Sequence, residues 1–384
     1  MRRSLVAGIV LVLVVVLVAA ATAAAKVRTG PAGAAFYAPP SPLPKGTHGA
    51  PIWQRPLSGQ ATLKGGANSL LLYRSTGLAG KGVAVSAVLT VPRGKAPSGG
   101  WPIVTWAHAT SGLADACAPS RANVLLGYDH PLLERWLKAG YAIVRTDYQG
   151  LGTPGPHPYL DGVTEGRAVL DAVLAARVAD PRIGAKVLIS GHSQGGQAAL
   201  FAAALAPRWA PSLDVRGTVA FAPASHLSEQ LSALATSGAA GGTALAAMAL
   251  RGLDVAQPGL HVAALLTPQA AALYPRIDAD CLAALSGADA FGGLPGAQLL
   301  APGADLAPIA RALAADDPED LTIRTPLLIE QGTADTTVPP ALTEQTARSL
   351  KATYKTYAGL THVSLVLSAT PQSDAVAFAE RRLR

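Results

Sequence analysis

A serine set between a predicted strand and a predicted helix constrains this chain more than any other feature. It lies in Gly191-His192-Ser193-Gln194-Gly195, preceded by the apolar or small residues 187–190 and followed by strong helix formers over 197–206. A G-x-S-x-G motif in this context makes a sharp turn that pushes the serine hydroxyl beyond the edge of a sheet. The flanking Gly191 and Gly195 meet at such close range that glycine fits best. The motif predicts a nucleophilic Ser193.

Strands and helices alternate on both sides of this motif. Strands are predicted at Ile103–Ala107, Tyr141–Thr146 and Gly217–Phe221, with helices over Pro131–Ala139 and Val163–Val178. Such alternation predicts βαβ units and an α/β fold, with a mostly parallel sheet covered by helices on both faces. Ligands of such sheets bind at the carboxyl ends of the strands, which is where Ser193 lies.

The N-terminus has the composition of a secretory signal peptide, predicted over residues 1–25. Arg2 and Arg3 precede the apolar run Leu5–Val18, and Ala23-Ala24-Ala25 offers a small-residue cleavage site. An uncleaved membrane anchor is the alternative, because the apolar stretch is nearly long enough to span a bilayer. In both cases the remaining chain is expected to work outside the cytoplasm, as a secreted protein if the segment is removed.

Composition divides the rest of the chain into four segments. Residues 26–68 are rich in Pro and Gly and predict an extended arm, after which 69–223 form the first part of the α/β core. From residue 224 the strand pattern stops, and Ala/Leu-rich helical spacing predicts an inserted helical cap over 224–320. The core resumes over 321–384.

The two cysteines, Cys117 and Cys281, are predicted to pair. An even count in an oxidising compartment, with no C-x-x-C, favours a disulfide over two buried thiols. Because Cys281 lies in the predicted cap, such a bond would hold the cap near the core.

An activated serine needs a base and an acid, which follow the nucleophile in the order acid and then His in this kind of turn. Of the later histidines, His226 and His261 fall in the predicted cap, whereas His362 follows the last predicted strand. Asp335 comes directly after a buried strand and 27 residues before His362. We therefore expect Ser193, Asp335 and His362 to form a catalytic triad.

Stabilising an oxyanion requires two converging N–H donors. The residue after the nucleophile, Gln194, supplies one, and the loop His108–Gly112 after an early strand should supply the other, from Thr110. No H-E-x-x-H motif or calcium-binding loop occurs in the sequence, so neither a metal nor another cofactor is expected. The formal charge of +7 is scattered without a basic run, which argues against a nucleic-acid partner.

These motifs together resemble the secretory lipase family of α/β-hydrolases, which includes fungal lipase-A-like enzymes and actinobacterial secreted lipases and esterases. The resemblance is carried by the following segments: Phe36–Pro40, Trp106–Thr110, Cys117–Ser120, Thr146–Gly152, Gly191–Gly196 and the loops of Asp335 and His362. It departs from the family at Ala109, where many relatives have glycine. The family implies an α/β-hydrolase fold with an inserted cap and a disulfide between core and cap.

The expected function is therefore that of a secreted serine hydrolase of the triacylglycerol lipase or carboxylesterase type. Its partner would be a lipid or small-molecule ester with a short-to-medium acyl group, and we expect a monomer with transient contact to a membrane or lipid interface. Two alternatives remain open: the same triad acting as an exopeptidase or acyltransferase, and a non-catalytic cell-envelope protein that binds a ligand on the same fold.

Overall fold

A single mixed sheet organises the described part of the chain. The computed structural model describes residues 27–121, 125, 127–236 and 241–384, and it describes only the backbone of 234–236. The predicted signal peptide, 1–25, lies outside the described residues. Within them, nine strands join one sheet in the order β1-β2-β3-β5-β4-β6-β7-β8-β9. Their bounds are β1 Pro51–Pro56, β2 Gly66–Thr76, β3 Gly82–Pro92, β4 Trp101–Ala107, β5 Ala142–Thr146, β6 Ile183–His192, β7 Asp214–Phe221, β8 Leu327–Gly332 and β9 Thr353–Tyr357.

The sheet is antiparallel at one side and parallel over the rest. Strands β1, β2, β3 and β5 pair in antiparallel fashion, whereas β5, β4, β6, β7, β8 and β9 all pair in parallel. Strand β6 lies in the middle of the parallel part, with Gly191 beside Ala107 of β4 and Ala220 of β7. The predicted α/β fold with a mostly parallel sheet is confirmed.

Helices cover both faces of the sheet. In the described residues they are α1 His130–Lys138, α2 Gly162–Ala179, α3 Gln194–Trp209, α4 Leu227–Thr236, α5 Gly242–Ala256, α6 Pro268–Leu273, α7 Leu282–Leu285, α8 Ala307–Ala314, α9 Pro340–Ser349, α10 His362–Leu367 and α11 Ala369–Leu383. Helices α2 and α3 pack on one face through small apolar residues such as Ala172 and Ala199. Helices α1 and α11 pack on the other through larger ones, including Trp136 and Phe378.

Helices α4 to α8 fall within the segment predicted as the cap, residues 224–320, and pack around an apolar cluster of their own. Its fully buried members include Met248, Leu250 and Phe291. Three residues from outside the cap join this cluster, namely Leu113, Tyr159 and Leu160. The cap therefore packs against the carboxyl-end loops of the sheet. In the described residues, no helix is both long and apolar enough to cross a membrane.

A disulfide joins Cys117 to Cys281, with the two Cα atoms 5.4 Å apart. It links the loop after β4 to the start of α7. Beside it, the Leu282 N–H donates to the Ser111 carbonyl oxygen at 3.0 Å, and Gly112 forms a β-bridge with Cys281. The predicted pairing of the two cysteines is confirmed.

Two elements differ from the expectations drawn from the sequence. The arm predicted over 26–68 contains β1, which pairs with β2, and β2 begins at Gly66, so the boundary drawn at residue 69 falls inside a strand. The sequence also predicts a closing helix over 363–384 with a break at Pro371, but the break lies at Ser368, between α10 and α11, and α11 continues through Pro371. Proline is tolerated there because it lies in the first turn of α11, where its missing N–H needs no partner.

Candidate active site

The turn between β6 and α3 holds Ser193 in a conformation that non-glycine residues rarely adopt. Its backbone angles are φ 59° and ψ −120°. The turn is held on both sides, because the Ser193 N–H donates to the Phe221 oxygen at 2.9 Å and its carbonyl accepts from the Ala224 N–H at 3.1 Å. A strained serine at a strand-to-helix turn is the geometry of a nucleophile elbow.

Close backbone packing explains the two glycines that flank this serine. A Cβ on Gly191 would lie 2.1 Å from the Gly195 carbonyl oxygen, and a Cβ on Gly195 would lie 2.0 Å from that of Ala107. Both distances are too short for any side chain. The glycines thus allow the turn to sit directly against the end of β4, which leads into the loop of Thr110.

His362 and Asp335 are joined by a hydrogen bond. The His362 Nδ1 atom lies 2.7 Å from Asp335 Oδ2. The other carboxylate oxygen, Oδ1, accepts the main-chain N–H groups of Thr337 and Val338 at 2.8 and 2.9 Å. Burial alone would raise the pKa of Asp335, but the hydrogen bonds from His362 and these two N–H groups outweigh it and lower the pKa. The carboxylate is therefore charged when it faces the imidazole.

The position of His362 is fixed by the start of α10. Thr361 caps this helix: its hydroxyl accepts from the Ser364 N–H, and the Ser364 hydroxyl accepts from the Thr361 N–H. The loop before the cap is bonded to the Asp335 loop, because the Ala334 N–H donates to the Leu360 oxygen at 3.0 Å. The two loops therefore present their acid and imidazole as one unit.

This pair lies beside the elbow. The ring centroids of His362 and His192 are 4.5 Å apart, and His192 directly precedes Ser193. Among the described hydrogen bonds, none joins the Ser193 hydroxyl to His362, which is common for nucleophile and base without a bound substrate. The other two candidate bases lie elsewhere, since His226 faces Glu319 and His261 is exposed.

The two predicted oxyanion donors also occur at the elbow. Gln194 is the first residue of α3, where an N–H has no partner within the helix. Thr110 lines the same small cavity as Ser193. In the described part of the chain, neither of these two N–H groups donates a hydrogen bond.

A buried polar network, which sequence reasoning did not identify, supports Gln194. Its side-chain Nε2 donates to Glu165 Oε1 at 2.7 Å and lies 3.1 Å from His157 Nε2. The same Glu165 oxygen accepts the Leu160 N–H at 3.0 Å. Burial raises the pKa of Glu165 well above its usual range. The contacts of Gln194 join residues 29 and 37 positions apart without a shared motif, so no sequence pattern could have indicated them.

The cavity at Ser193 is small and mainly apolar. Its volume is about 40 Å³, and it is lined by Thr110, Tyr159, Leu160, Ser193, Ala224, Leu227, Gln230, Leu231, Leu245, Ala249, Leu313, Thr337 and Val338. Sites that enclose a ligand are usually ~300–1,000 Å³. The cap supplies most of the apolar lining, through α4, α5 and α8, and leaves room for little more than a water molecule.

The sheet, the strained turn of Ser193 and the loops that hold Asp335 and His362 together identify the class of this protein. It has the α/β-hydrolase fold. The esterase LipA from Xanthomonas oryzae shares it, with a TM-score of 0.72 at 21% identity over 88% of this chain and 99% of that one. At that identity the likeness concerns the fold alone.

Within this class, the family model for secretory lipases matches residues 118–301. Lipase A of Moesziomyces aphidis is 29% identical over 59% of this chain and 50% of that protein. A probable inactive lipase of Mycobacterium tuberculosis is 28% identical over 50% of this chain and 44% of that protein. The chain spans about half the length of these relatives. The resemblance to the secretory lipase family is confirmed.

Proposed function

We propose that this protein is a serine hydrolase that cleaves carboxylic esters through an acyl-enzyme. The observation that carries the proposal is the His362–Asp335 hydrogen bond beside the strained turn of Ser193. A serine alone is a weak nucleophile, and a base oriented by a carboxylate is what activates it. The match to secretory lipases supports the choice of an ester as the bond that is cleaved.

In the proposed reaction, the Ser193 hydroxyl attacks the ester carbonyl carbon while His362 Nε2 takes its proton. Asp335 accepts the Nδ1–H of His362, which fixes the tautomer and stabilises the imidazolium. The N–H groups of Gln194 and Thr110 stabilise the charge that develops on the carbonyl oxygen. The imidazolium then gives its proton to the departing alcohol. A water molecule, activated by the same imidazole, releases the acid from Ser193.

The lining of the cavity supports a lipid-like or short-to-medium acyl group. Leu227, Leu245 and Leu313 of the cap face the same space as Ser193. Because the volume is about 40 Å³, we infer that α4 and α5 shift outward when an acyl chain enters. Such a motion would expose apolar cap surface, which fits transient contact with a membrane or lipid interface.

We further infer that the protein is secreted after removal of residues 1–25. The basis is the charged, apolar and alanine-rich order of that segment. The intact mass of the exported protein should be that of a chain that begins at Lys26. A mass that still includes residues 1–25 would instead indicate a retained anchor.

Two other functions remain to be separated from this one. The same three residues could cleave an amide as an exopeptidase or transfer the acyl group to a cell-surface acceptor. A non-catalytic binding protein is favoured by one observation: the M. tuberculosis relative is named a probable inactive lipase.

A substrate panel separates these functions. Purified protein is assayed with p-nitrophenyl acetate, butyrate, octanoate and palmitate, with aminoacyl p-nitroanilides, and with an ester plus a glycerol acceptor. We expect ester hydrolysis that is lost in Ser193→Ala and retained in Ser98→Ala, a control at an exposed loop serine. Anilide cleavage exceeding ester cleavage, predominant transfer to glycerol, or no turnover of any substrate would each reject the proposal.

A further inference from the structure

Two hydroxyl groups face each other at the wall of the Ser193 cavity. The Thr110 Oγ1 and Tyr159 hydroxyl oxygens are 2.6 Å apart and buried, and both residues line that cavity. Each hydroxyl carries one proton, so the bond between them uses one proton and leaves the other. Among the described residues, no further acceptor bonds to either oxygen. The second proton is therefore free for a group that enters the cavity.

Tyr159 is held rigidly in this place. The next residue, Leu160, has φ 66°, and its N–H and carbonyl are bonded to the side chains of Glu165 and Gln197, at 3.0 and 3.2 Å. From the cap side, α5 packs so tightly that a Cβ on Gly252 would lie 2.3 Å from the main-chain carbonyl oxygen of Tyr159. A main chain fixed on both sides limits the directions in which the Tyr159 side chain can point, which helps it to orient its partner.

The acidity of the two groups decides which one donates. A phenol is a better hydrogen-bond donor than an aliphatic alcohol, so we infer that the Tyr159 hydroxyl donates to Thr110 Oγ1. Burial raises the pKa of Tyr159, so the phenol stays neutral and keeps its proton. The proton left over is then that of Thr110, the residue whose main-chain N–H the reaction already uses.

We propose that the Thr110 hydroxyl is a third donor to the oxyanion and that Tyr159 is the residue that positions it. The inference rests on the proposed ester hydrolysis. The tetrahedral oxyanion accepts hydrogen bonds from the Gln194 N–H, the Thr110 N–H and the Thr110 hydroxyl. No proton is transferred in these contacts. Tyr159 acts through Thr110 and does not touch the substrate.

Substitutions of Thr110 test the donor directly. Thr110→Val keeps the shape and the main-chain N–H but removes the hydroxyl, and should lower kcat about 100-fold, as for loss of one oxyanion donor. KM should change by less than about threefold, because the bond strengthens in the transition state. Thr110→Ser restores a hydroxyl and should recover kcat to within about tenfold of wild type.

Tyr159→Phe tests the positioning role and should lower kcat by about tenfold, a fraction of the loss for a donor itself. Because Tyr159 acts through Thr110, the double variant Thr110→Val/Tyr159→Phe should be no slower than Thr110→Val alone. Tyr354→Phe is the control, since it removes a hydroxyl that donates to the Pro340 carbonyl oxygen at the start of α9 and does not bond to Thr110, and should keep wild-type kcat. Thermal unfolding by circular dichroism checks that each variant is folded.

The outcomes separate this inference from the proposed function. If wild-type protein does not hydrolyse p-nitrophenyl butyrate, the proposed function fails. If wild type is active, Ser193→Ala is inactive and folded Thr110→Val keeps full kcat or changes only KM, the third donor is rejected and the hydrolase stands. If the losses in kcat of the two single variants multiply in the double variant, Tyr159 does not act through Thr110.

Discussion

Asp335 illustrates how much of the proposed chemistry depends on a single side chain. Its carboxylate accepts hydrogen bonds from His362, from two main-chain N–H groups, and from Gln331 Nε2 at 3.1 Å. Burial opposes ionisation, but the bonds from His362 and the two N–H groups outweigh it and lower the pKa of Asp335. The four contacts together hold both oxygens in fixed directions. A charged, immobile acceptor is what a base needs in order to present Nε2, and not Nδ1, to the nucleophile.

Asp335→Asn should therefore lower kcat by roughly 10³–10⁴-fold, because the amide favours the wrong tautomer of His362 while preserving the shape of the loop. The measurement is kcat for p-nitrophenyl butyrate, with Asp320→Asn as a control at an exposed acid outside the site. An Asp335→Asn protein that hydrolyses the ester within tenfold of the wild-type rate would remove Asp335 from the triad.

At the level of residues, the sequence predicted those residues that are marked by a motif or by their order along the chain. Ser193 follows from the glycines around it, and Asp335 and His362 follow from their order after the nucleophile. Tyr159 could not be predicted, because it lies 49 residues from Thr110 in a loop without a motif, and only the fold brings the two hydroxyls together.

Two acids in the segment between the cap and the core, Asp316 and Asp317, each accept a hydrogen bond from the start of a helix. Asp316 Oδ1 accepts the Gly162 N–H at the start of α2, at 2.9 Å, and Asp317 Oδ1 accepts the Leu227 N–H at the start of α4, at 2.7 Å. Both side chains are only partly exposed. Burial, followed by repulsion from Asp161, raises the pKa of Asp316 to about 7.

Stability should depend on pH through this carboxyl. The folded pKa lies above the unfolded one, so the folded protein keeps the proton between about pH 4 and pH 7 while the unfolded chain releases it. Rising pH therefore favours unfolding across that window. We expect the free energy of unfolding to fall between pH 5 and pH 8, with Asp316 contributing roughly 3 kcal/mol at most.

Asp316→Asn should reduce this pH dependence, because the amide can accept the same N–H without ionising. Urea unfolding at pH 5 and pH 8 measures the effect, and the variant should gain stability relative to wild type at the higher pH. An identical fall in both proteins would show that Asp316 titrates normally in the folded state.

The disulfide also joins the cap to the core. It closes a loop of 164 residues between Cys117 and Cys281, for which loop-closure entropy predicts roughly 5 kcal/mol as an upper figure. We expect Cys117→Ala/Cys281→Ala to lose about 2–4 kcal/mol in urea unfolding. Because the chain has two cysteines, wild type in reductant should approach the stability of the variant. Equal stability of oxidised wild type and variant would contradict this role.

For helices and strands, a strong apolar or helix-forming pattern predicted the elements correctly. The prolines within a segment instead led to a missed strand and a misplaced helix break. The strand and helix around Ser193 were clear because one is uniformly apolar and the other uniformly helix-forming. β1 was missed because Pro51 and Pro56 bound it, although an edge strand tolerates proline at its ends. The break after α10 was shifted by three residues for a similar reason, since proline is allowed in a first helical turn.

At the scale of the whole molecule, alternating strands and helices were enough to predict a mostly parallel sheet, and the proposed site lies at the carboxyl ends of its strands. The small size of the cavity at Ser193 could not be predicted. It depends on how α4, α5 and α8 pack near Ser193, and Ala/Leu-rich helices allow many packings of similar composition. A volume of about 40 Å³ is too small for an acyl chain, so the proposed hydrolysis requires the cap to shift.

Covalent labelling tests whether Ser193 is the activated nucleophile. A fluorophosphonate reacts with a serine only when a base and an oxyanion site activate it. Wild-type protein treated with a small fluorophosphonate should gain one adduct, located on Ser193 by peptide mass spectrometry, and lose ester hydrolysis in proportion to labelling. Ser193→Ala should remain unlabelled and Ser98→Ala should label as wild type does. Ester hydrolysis that persists in folded Ser193→Ala, or an adduct on another residue, would contradict the account.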